Sequence, residues 1–261
     1  MTTTFATRFR LDGKVALVTA AAGGFGAQIC RGLAEQGADV VVTDVNDEAA
    51  IDVAKTIDEL GRRSLAAHLD VADAAAIARV IPQIISDHPA LNVIINNAGI
   101  MFTDDPTEPI DDERLTTIVA TNLLGPVRVN SAVITHLKSL PSAAIVNVSS
   151  MLGFVPLASS TLYSATKAAL HSYTHSLRYR LEETTVEVFE IAPPYTQTDL
   201  MTINAHDPRA MPLSEFLAET MAAWENNDAE ILVVRARARA DALRPGELQA
   251  TTQMNDMMTG K

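Results

Sequence analysis

Residues 14–26 read Lys14-Val-Ala-Leu-Val-Thr19-Ala-Ala-Ala-Gly23-Gly24-Phe25-Gly26. Val15 to Val18 form an unbroken apolar run, the pattern of a strand buried on both faces of a parallel sheet. The glycines after it mark a tight turn, and a helical pattern from about Ala27 to Gln36 stops at Gly37, a residue suited to a helix C-cap. Strand, glycine turn and helix in that order predict the opening of a β-α-β unit.

The same alternation continues outward. Asp39–Thr43 is a second β-branched run, followed by a helix over about Glu48–Leu60. A strand at Ser64–Leu69, a helix at Ala74–Asp87 and a strand at Leu91–Ile95 lead into Asn96-Asn97-Ala98-Gly99. A helix over Asp111–Lys138, a strand at Ala144–Val148, a long helix over Ser160–Glu183 and a strand at Val186–Ile191 complete the scheme. Past Pro193 the pattern weakens to a helix at Leu213–Trp224 and, at Ile231–Val234, a short strand with a helix as the alternative. The Arg235-Ala-Arg237-Ala-Arg239 run reads as a solvated face. With no Pro- or Ser-rich linker and no internal repeat, residues 1–261 read as a single α/β domain, a Rossmann-like doubly wound parallel sheet. Residues 201–227 are expected to form a lid and 245–261 a loosely ordered tail.

Composition narrows the function. At 48% hydrophobic and 20% charged, the 261 residues suit a folded globule rather than a disordered chain. A formal net charge of −12 repels phosphate backbones and anionic bilayers, so neither nucleic acid nor membrane is an expected partner. Cys30 is the single cysteine and reads as a buried apolar residue; one thiol makes no internal disulfide. Arg8, Arg10, Asp12 and Lys14 break any signal-peptide layout, and no apolar run reaches the ~18 residues of a membrane span. The expected location is the cytoplasm.

The chemistry starts at the first turn. Backbone N–H groups at a helix N-terminus bind phosphate, and Gly24 and Gly26, flanking Phe25, clear side chains from that approach. Asp44 ends the second strand, where a carboxylate accepts hydrogen bonds from ribose hydroxyls and repels a 2′-phosphate; this favours NAD over NADP. Tyr163 and Lys167 lie four apart on a helix and share a face. An ammonium favours the phenolate, so the pair can exchange a proton with an alcohol or carbonyl oxygen. Ser150 ends a central strand, where ligands bind in such sheets, and its hydroxyl can hold the substrate oxygen.

Taken together, Thr19…Gly24-x-Gly26, Asp70 in Leu-Asp-Val, Asn96-Asn97-Ala98-Gly99, Asn122 in Thr-Asn-Leu, Ser150, Tyr163-x-x-x-Lys167 and Pro193…Thr198 resemble the short-chain dehydrogenase/reductase superfamily over about residues 12 to 200. The stretches Ala144–Ser150, Tyr163–Leu181 and Ala192–Leu200 are most similar to a bacterial branch associated with D-alanine esterification of teichoic acids. That association is genetic and specifies no reaction.

The resemblance implies a tetrad of Asn122, Ser150, Tyr163 and Lys167. Tyr163 would be the acid/base, and Ser150 would orient the substrate. Lys167 would bind the nicotinamide ribose and lower the tyrosine pKa, and Asn122 would hold a water. Thr19 and Pro193 would border the cofactor, Asp70 and Val71 would contact adenine, Asn97, Ala98 and Gly99 would floor the site, and Thr198 would reach the carboxamide. It also implies a homodimer or homotetramer. Two departures stand out. Ala20 replaces the first turn glycine, and Pro193-Pro194 replaces Pro-Gly.

Met101, Met151, Leu152, Tyr195 and Met201 are expected to shape an apolar pocket for a small to medium secondary alcohol or ketone, with Arg209 the one cation to watch. The six histidines show no ligand cluster, so no metal is expected; His171 and His175 read as helix-surface or interface residues. The alternative reading is a non-catalytic nucleotide-binding sensor or scaffold on the same fold.

Overall fold

The computed structural model describes residues 11–198, 200–201, 207–225, 229–243 and 246–259. The strands β1 (Val15–Thr19), β2 (Asp39–Asp44), β3 (Ser64–His68), β4 (Leu91–Asn96), β5 (Ala143–Val148), β6 (Val186–Ile191) and β7 (Glu230–Ile231) form one seven-stranded sheet in the order β3-β2-β1-β4-β5-β6-β7. Every pairing is parallel. The chain winds outward from β1 to β3 and returns to β4. Crossovers therefore diverge between β1 and β4 and leave a crevice at their carboxyl ends.

Alternate side chains of each strand feed opposite faces. Ala16, Val18, Ile95 and Val146 join one buried layer with Leu33 and Ile57 of the helices α1 (Gly24–Glu35) and α2 (Asp47–Glu59). Val15, Leu17, Ile94 and Ile145 join the other with Ile77, Ile81, Val129 and Val133. Those partners lie on α3 (Ala74–Asp87) and α5 (Gly125–Lys138). This is the expected Rossmann-like architecture. Cys30 is fully buried within α1, and burial pushes its thiol up to about 12, so it serves as packing.

Four boundaries differ from expectation. The helix expected over Asp111–Lys138 is α4 (Asp112–Val119) and α5 joined by a π-helical turn, Ala120–Leu124, because five residues there bond with the wider i→i+5 spacing. The long helix α6 runs Thr161–Leu181. β7 is two residues, and Val234 already opens α8 (Val234–Leu243), so the expected Ile231–Val234 strand is cut short. Glu247–Thr259, expected as a loose tail, forms α9, and the Tyr179 phenol donates to Asp256 Oδ1 at 2.8 Å where α9 meets α6. Within the stretch 201–227, the helix α7 spans Leu213–Glu225; residues 202–206 and 226–227 lie outside the described residues. No helix among the described residues is long and apolar enough to cross a membrane.

Candidate active site

A cleft of about 1030 Å³ opens over the carboxyl ends of β1, β2, β4 and β5. Its floor is the glycine turn. Ala20 has φ +49, a left-handed backbone that a Cβ disfavours. Asn97 Nδ2 donates to the carbonyls of Thr19 and Ala20, both at 3.0 Å, and holds this turn from β4. A Cβ on Gly26 would stand 2.2 Å from the Ala20 carbonyl oxygen and 2.8 Å from Asn97 Nδ2, so only glycine fits there. Gly23 caps α1 without a side chain, and no acid stands in the first turn. The helix thus presents bare N–H groups to the cleft, an arrangement that fits a dinucleotide phosphate. Asp44 flanks it, accepting from Ala22 N and Asn46 N, both at 2.9 Å.

The opposite wall carries the polar side chains. Ser150 follows β5 and accepts from Leu152 N at 3.1 Å; its hydroxyl also hydrogen-bonds the Tyr163 phenol. Lys167, one turn further along α6, donates to the Val148 carbonyl at 2.8 Å and lies 5.7 Å from the Tyr163 ring centre. Burial pushes the phenol up to about 12, with the Ser150 hydrogen bond acting against it. Burial also pulls the Lys167 ammonium down to about 8, opposed by the Glu190 carboxylate. What opposes desolvation at Tyr163 is the Ser150 hydroxyl rather than Lys167, from which the lowering was expected.

Gly24, Phe25, Gly26, Asp44, Asn97, Gly99, Ser150, Tyr163, Lys167, Pro193 and Thr198 all line this cleft, as do Met101, Met151, Leu152, Tyr195 and Met201. Five expected residues do not. The Thr19 hydroxyl accepts from Asn97 N and Ala98 N, both at 3.0 Å, which fastens Ala98 behind the wall. Asp70 Oδ1 accepts from Ala72 N in a turn, and Val71 packs under Gly125. Asn122 is fully buried in the π-helical turn, where its amide clasps both backbone groups of Ile100 and donates to Thr166 Oγ1. It still lies close by. A Cβ on Gly99 would be 3.3 Å from Lys167 Nζ and 3.6 Å from Asn122 Oδ1.

Sequence reasoning missed two carboxylates near the cleft, Asp104 and Asp207. Asp104 accepts from Thr161 N at 2.5 Å, Leu162 N at 2.7 Å and Thr161 Oγ1 at 3.0 Å, capping α6 in place of Ser160. Burial raises its pKa, but these N–H donors prevail and hold the carboxyl below its usual range. Asp207 stands between the expected Tyr195 and Arg209 at the mouth. Arg209 grips Asp207 through Nη2 at 2.6 Å, and the Tyr195 hydroxyl donates to Asp207 at 3.0 Å. Arg209 is therefore already paired. Phe216 of α7 packs edge-on against Phe25 with ring centres 5.1 Å apart, anchoring that helix beside the glycine turn.

The histidine reading needs correction. His171 and His175 are buried rather than on a surface, because α6 turns the stripe Lys167, His171, His175 inward against β6 and β7. They face Glu190 at 2.8 Å and Glu230 at 2.6 Å, so these histidines do have acidic partners.

The sheet order and the glycine-floored cleft define a Rossmann-type oxidoreductase architecture with room for a nicotinamide cofactor. The family model for short chain dehydrogenases matches residues 14–208, and the chain belongs to that family. It is 36% identical over 197 residues to cis-4-hydroxycyclohexanecarboxylate dehydrogenase of Sinomonas cyclohexanicum, covering 76% of this chain and 79% of that protein. It is 29% identical over 255 residues to the uncharacterized oxidoreductase DltE of Bacillus subtilis, covering 94% and 98%. That is the branch the sequence resembled. A gluconate 5-dehydrogenase from Burkholderia cenocepacia, solved with NADP and tartrate, superposes with a TM-score of 0.79 at 26% identity, over 88% of this chain and 96% of that one.

Proposed function

We propose that this chain is an NAD-dependent alcohol dehydrogenase or ketone reductase acting on a small to medium apolar secondary alcohol or ketone. The observation that carries the reading is the convergence of the Ser150 hydroxyl, the Tyr163 phenol and the Lys167 ammonium on the wall of a cleft floored by a bare helix N-terminus. The relative from Sinomonas, named for a hydroxylated cyclohexane ring, supports a secondary alcohol as the reacting group.

A bound nicotinamide supplies or accepts the hydride. The chain's own residues position the substrate and move the proton. Ser150 donates to the substrate oxygen and holds it against Tyr163. The phenol gives its proton to that oxygen in reduction and recovers it in oxidation. Lys167 would hold the ribose, and Asn122, whose Oδ1 lies beside Gly99 as Lys167 Nζ does, would retain the water that passes the proton outward. Thr198 and Pro193 would border the carboxamide, and Asp70 with Val71 would stand towards the adenine end. Reduction suits the protonated phenol directly, whereas oxidation first requires its deprotonation. The net reaction is alcohol + NAD⁺ ⇌ ketone + NADH + H⁺.

The test is an NADH-fluorescence assay against a panel of secondary alcohols and ketones. Tyr163→Phe is expected to lower kcat by at least ~100-fold, the lower range of general acid–base catalysis, with NADH binding retained. Undiminished turnover would remove Tyr163 from the mechanism. Asp44 supports the NAD preference, since its carboxylate flanks the glycine turn where a 2′-phosphate would meet it. Asp44→Ala is expected to raise NADP use relative to NAD about tenfold; an unchanged ratio of kcat/KM values argues against that role.

A further inference from the structure

Away from the cleft, one buried cluster is unused by hydride transfer. His171 and His175 project from α6, Glu190 from β6 and Glu230 from β7, and one ligand atom from each lies within 4.8 Å of the other three. Glu190 and Glu230 are register partners across the parallel pair β6–β7. Like charges directly opposite one another in a sheet destabilise it unless a cation lies between them. Arg178 acts on both carboxylates through space, but two of its nitrogens are spent on backbone carbonyls. Its Nε donates to the Val188 carbonyl at 2.9 Å and its Nη2 to the Ala229 carbonyl at 3.0 Å. His175 is 5% exposed, and its Nε2 stands 2.6 Å from a Glu230 oxygen without hydrogen-bonding geometry to any partner.

We infer that His171, His175, Glu190 and Glu230 form a binding site for one divalent transition ion, zinc by the chemistry of its donors. Two imidazole nitrogens and two carboxylate oxygens make an N₂O₂ set that suits a tetrahedral, borderline-soft cation. Zinc bonds of about 2.1 Å place tetrahedral ligand atoms about 3.4 Å apart, between the short contacts and the widest spacing in this cluster. The site is closed, since four protein ligands leave no open position, and this marks it as structural rather than catalytic. A groove of about 340 Å³ lined by His175, Arg178, Glu187 and Ala229 gives an entry path. The ion would rivet the two-residue strand β7 to α6 and β6, and with it α8, whose Arg235 borders the cleft. The inference is independent of the hydride-transfer reading.

The experiment uses the untagged full chain, stripped with a chelator and dialysed. Titration with zinc sulfate alone in a calorimeter is expected to show one equivalent bound below micromolar Kd, with a rise in Tm. Cobalt(II) in place of zinc is expected to give the intense visible bands of a tetrahedral ion. Glu230→Gln and His175→Asn should each weaken zinc at least tenfold. No saturable binding, a weak octahedral cobalt spectrum, or affinity unchanged in both variants would overturn the site. If a variant fails to fold, the wild-type stoichiometry and cobalt spectrum decide the question.

Discussion

At Ala20 the backbone takes a left-handed φ of +49 that a glycine would adopt freely. The methyl stands in a turn already clamped by Asn97, so the strain cannot relax without loosening Gly26 above it. Ala20→Gly is expected to stabilise the fold by about 1 kcal/mol, a gain of ~2–4 °C in Tm for a domain of this size, and to tighten NADH binding. Equal melting temperatures and dissociation constants would show that the turn carries no strain. The Asp44, Gly26, Ser150, Tyr163 and Lys167 positions were all legible from residue type and spacing. Their ionisation was not. Burial, a property of the folded chain, drives the phenol up and the ammonium down.

The helix α6 is the element on which the site depends. It carries Tyr163 and Lys167 at its start and the two histidines two turns on, and all four side chains are buried. Its first turn is held by Asp104 from the loop after β4, a cap 57 residues away in sequence. Asp104→Ala removes acceptors for two N–H groups, costing about 1 kcal/mol, in line with lost N-caps. It is expected to lower kcat more than it raises KM, because Tyr163 is set loose two residues from the cap. Circular dichroism and steady-state kinetics together check this, and unchanged kcat would show that packing alone positions the phenol. Periodicity predicted α6 within two residues at each end. It did not reveal the π-helical turn at Ala120–Leu124, since the amide of Asn122 reaches Ile100 through space and not through a local pattern.

Across the whole molecule, the buried pair makes stability depend on alkaline pH. Lys167 sits at about 8 in the fold against 10.5 in the open chain. Between those values the unfolded chain binds the extra proton, so stability rises as pH climbs from about 8 towards 10.5. Tyr163 works in the other direction. Its folded value of about 12 lies above the ordinary 10.0, so its contribution is full below pH 10 and is lost as pH rises through 12. Melting curves should therefore show a gain from Lys167 above pH 8 and a loss from Tyr163 above pH 10. In Lys167→Met the gain disappears, and Tm at pH 7 rises by several degrees while turnover is lost. A wild-type and variant that track each other from pH 8 to 10 would show that Lys167 carries no buried charge.

The order of strands and helices, the glycine turn, and the Ser150, Tyr163 and Lys167 set follow from the linear chain. Each rests on hydrophobic periodicity or on residues close enough in sequence to share a strand end or a helix face. Other features exist only once distant segments pack: the Asp104 cap, the anchoring of α7 by Phe25 and Phe216, and the His171–His175–Glu190–Glu230 cluster. A histidine four residues from another on a helix looks the same on paper whether it faces water or a sheet. The two carboxylates beside it come from strands 40 residues apart, and their meeting depends on β7 joining the sheet edge next to β6.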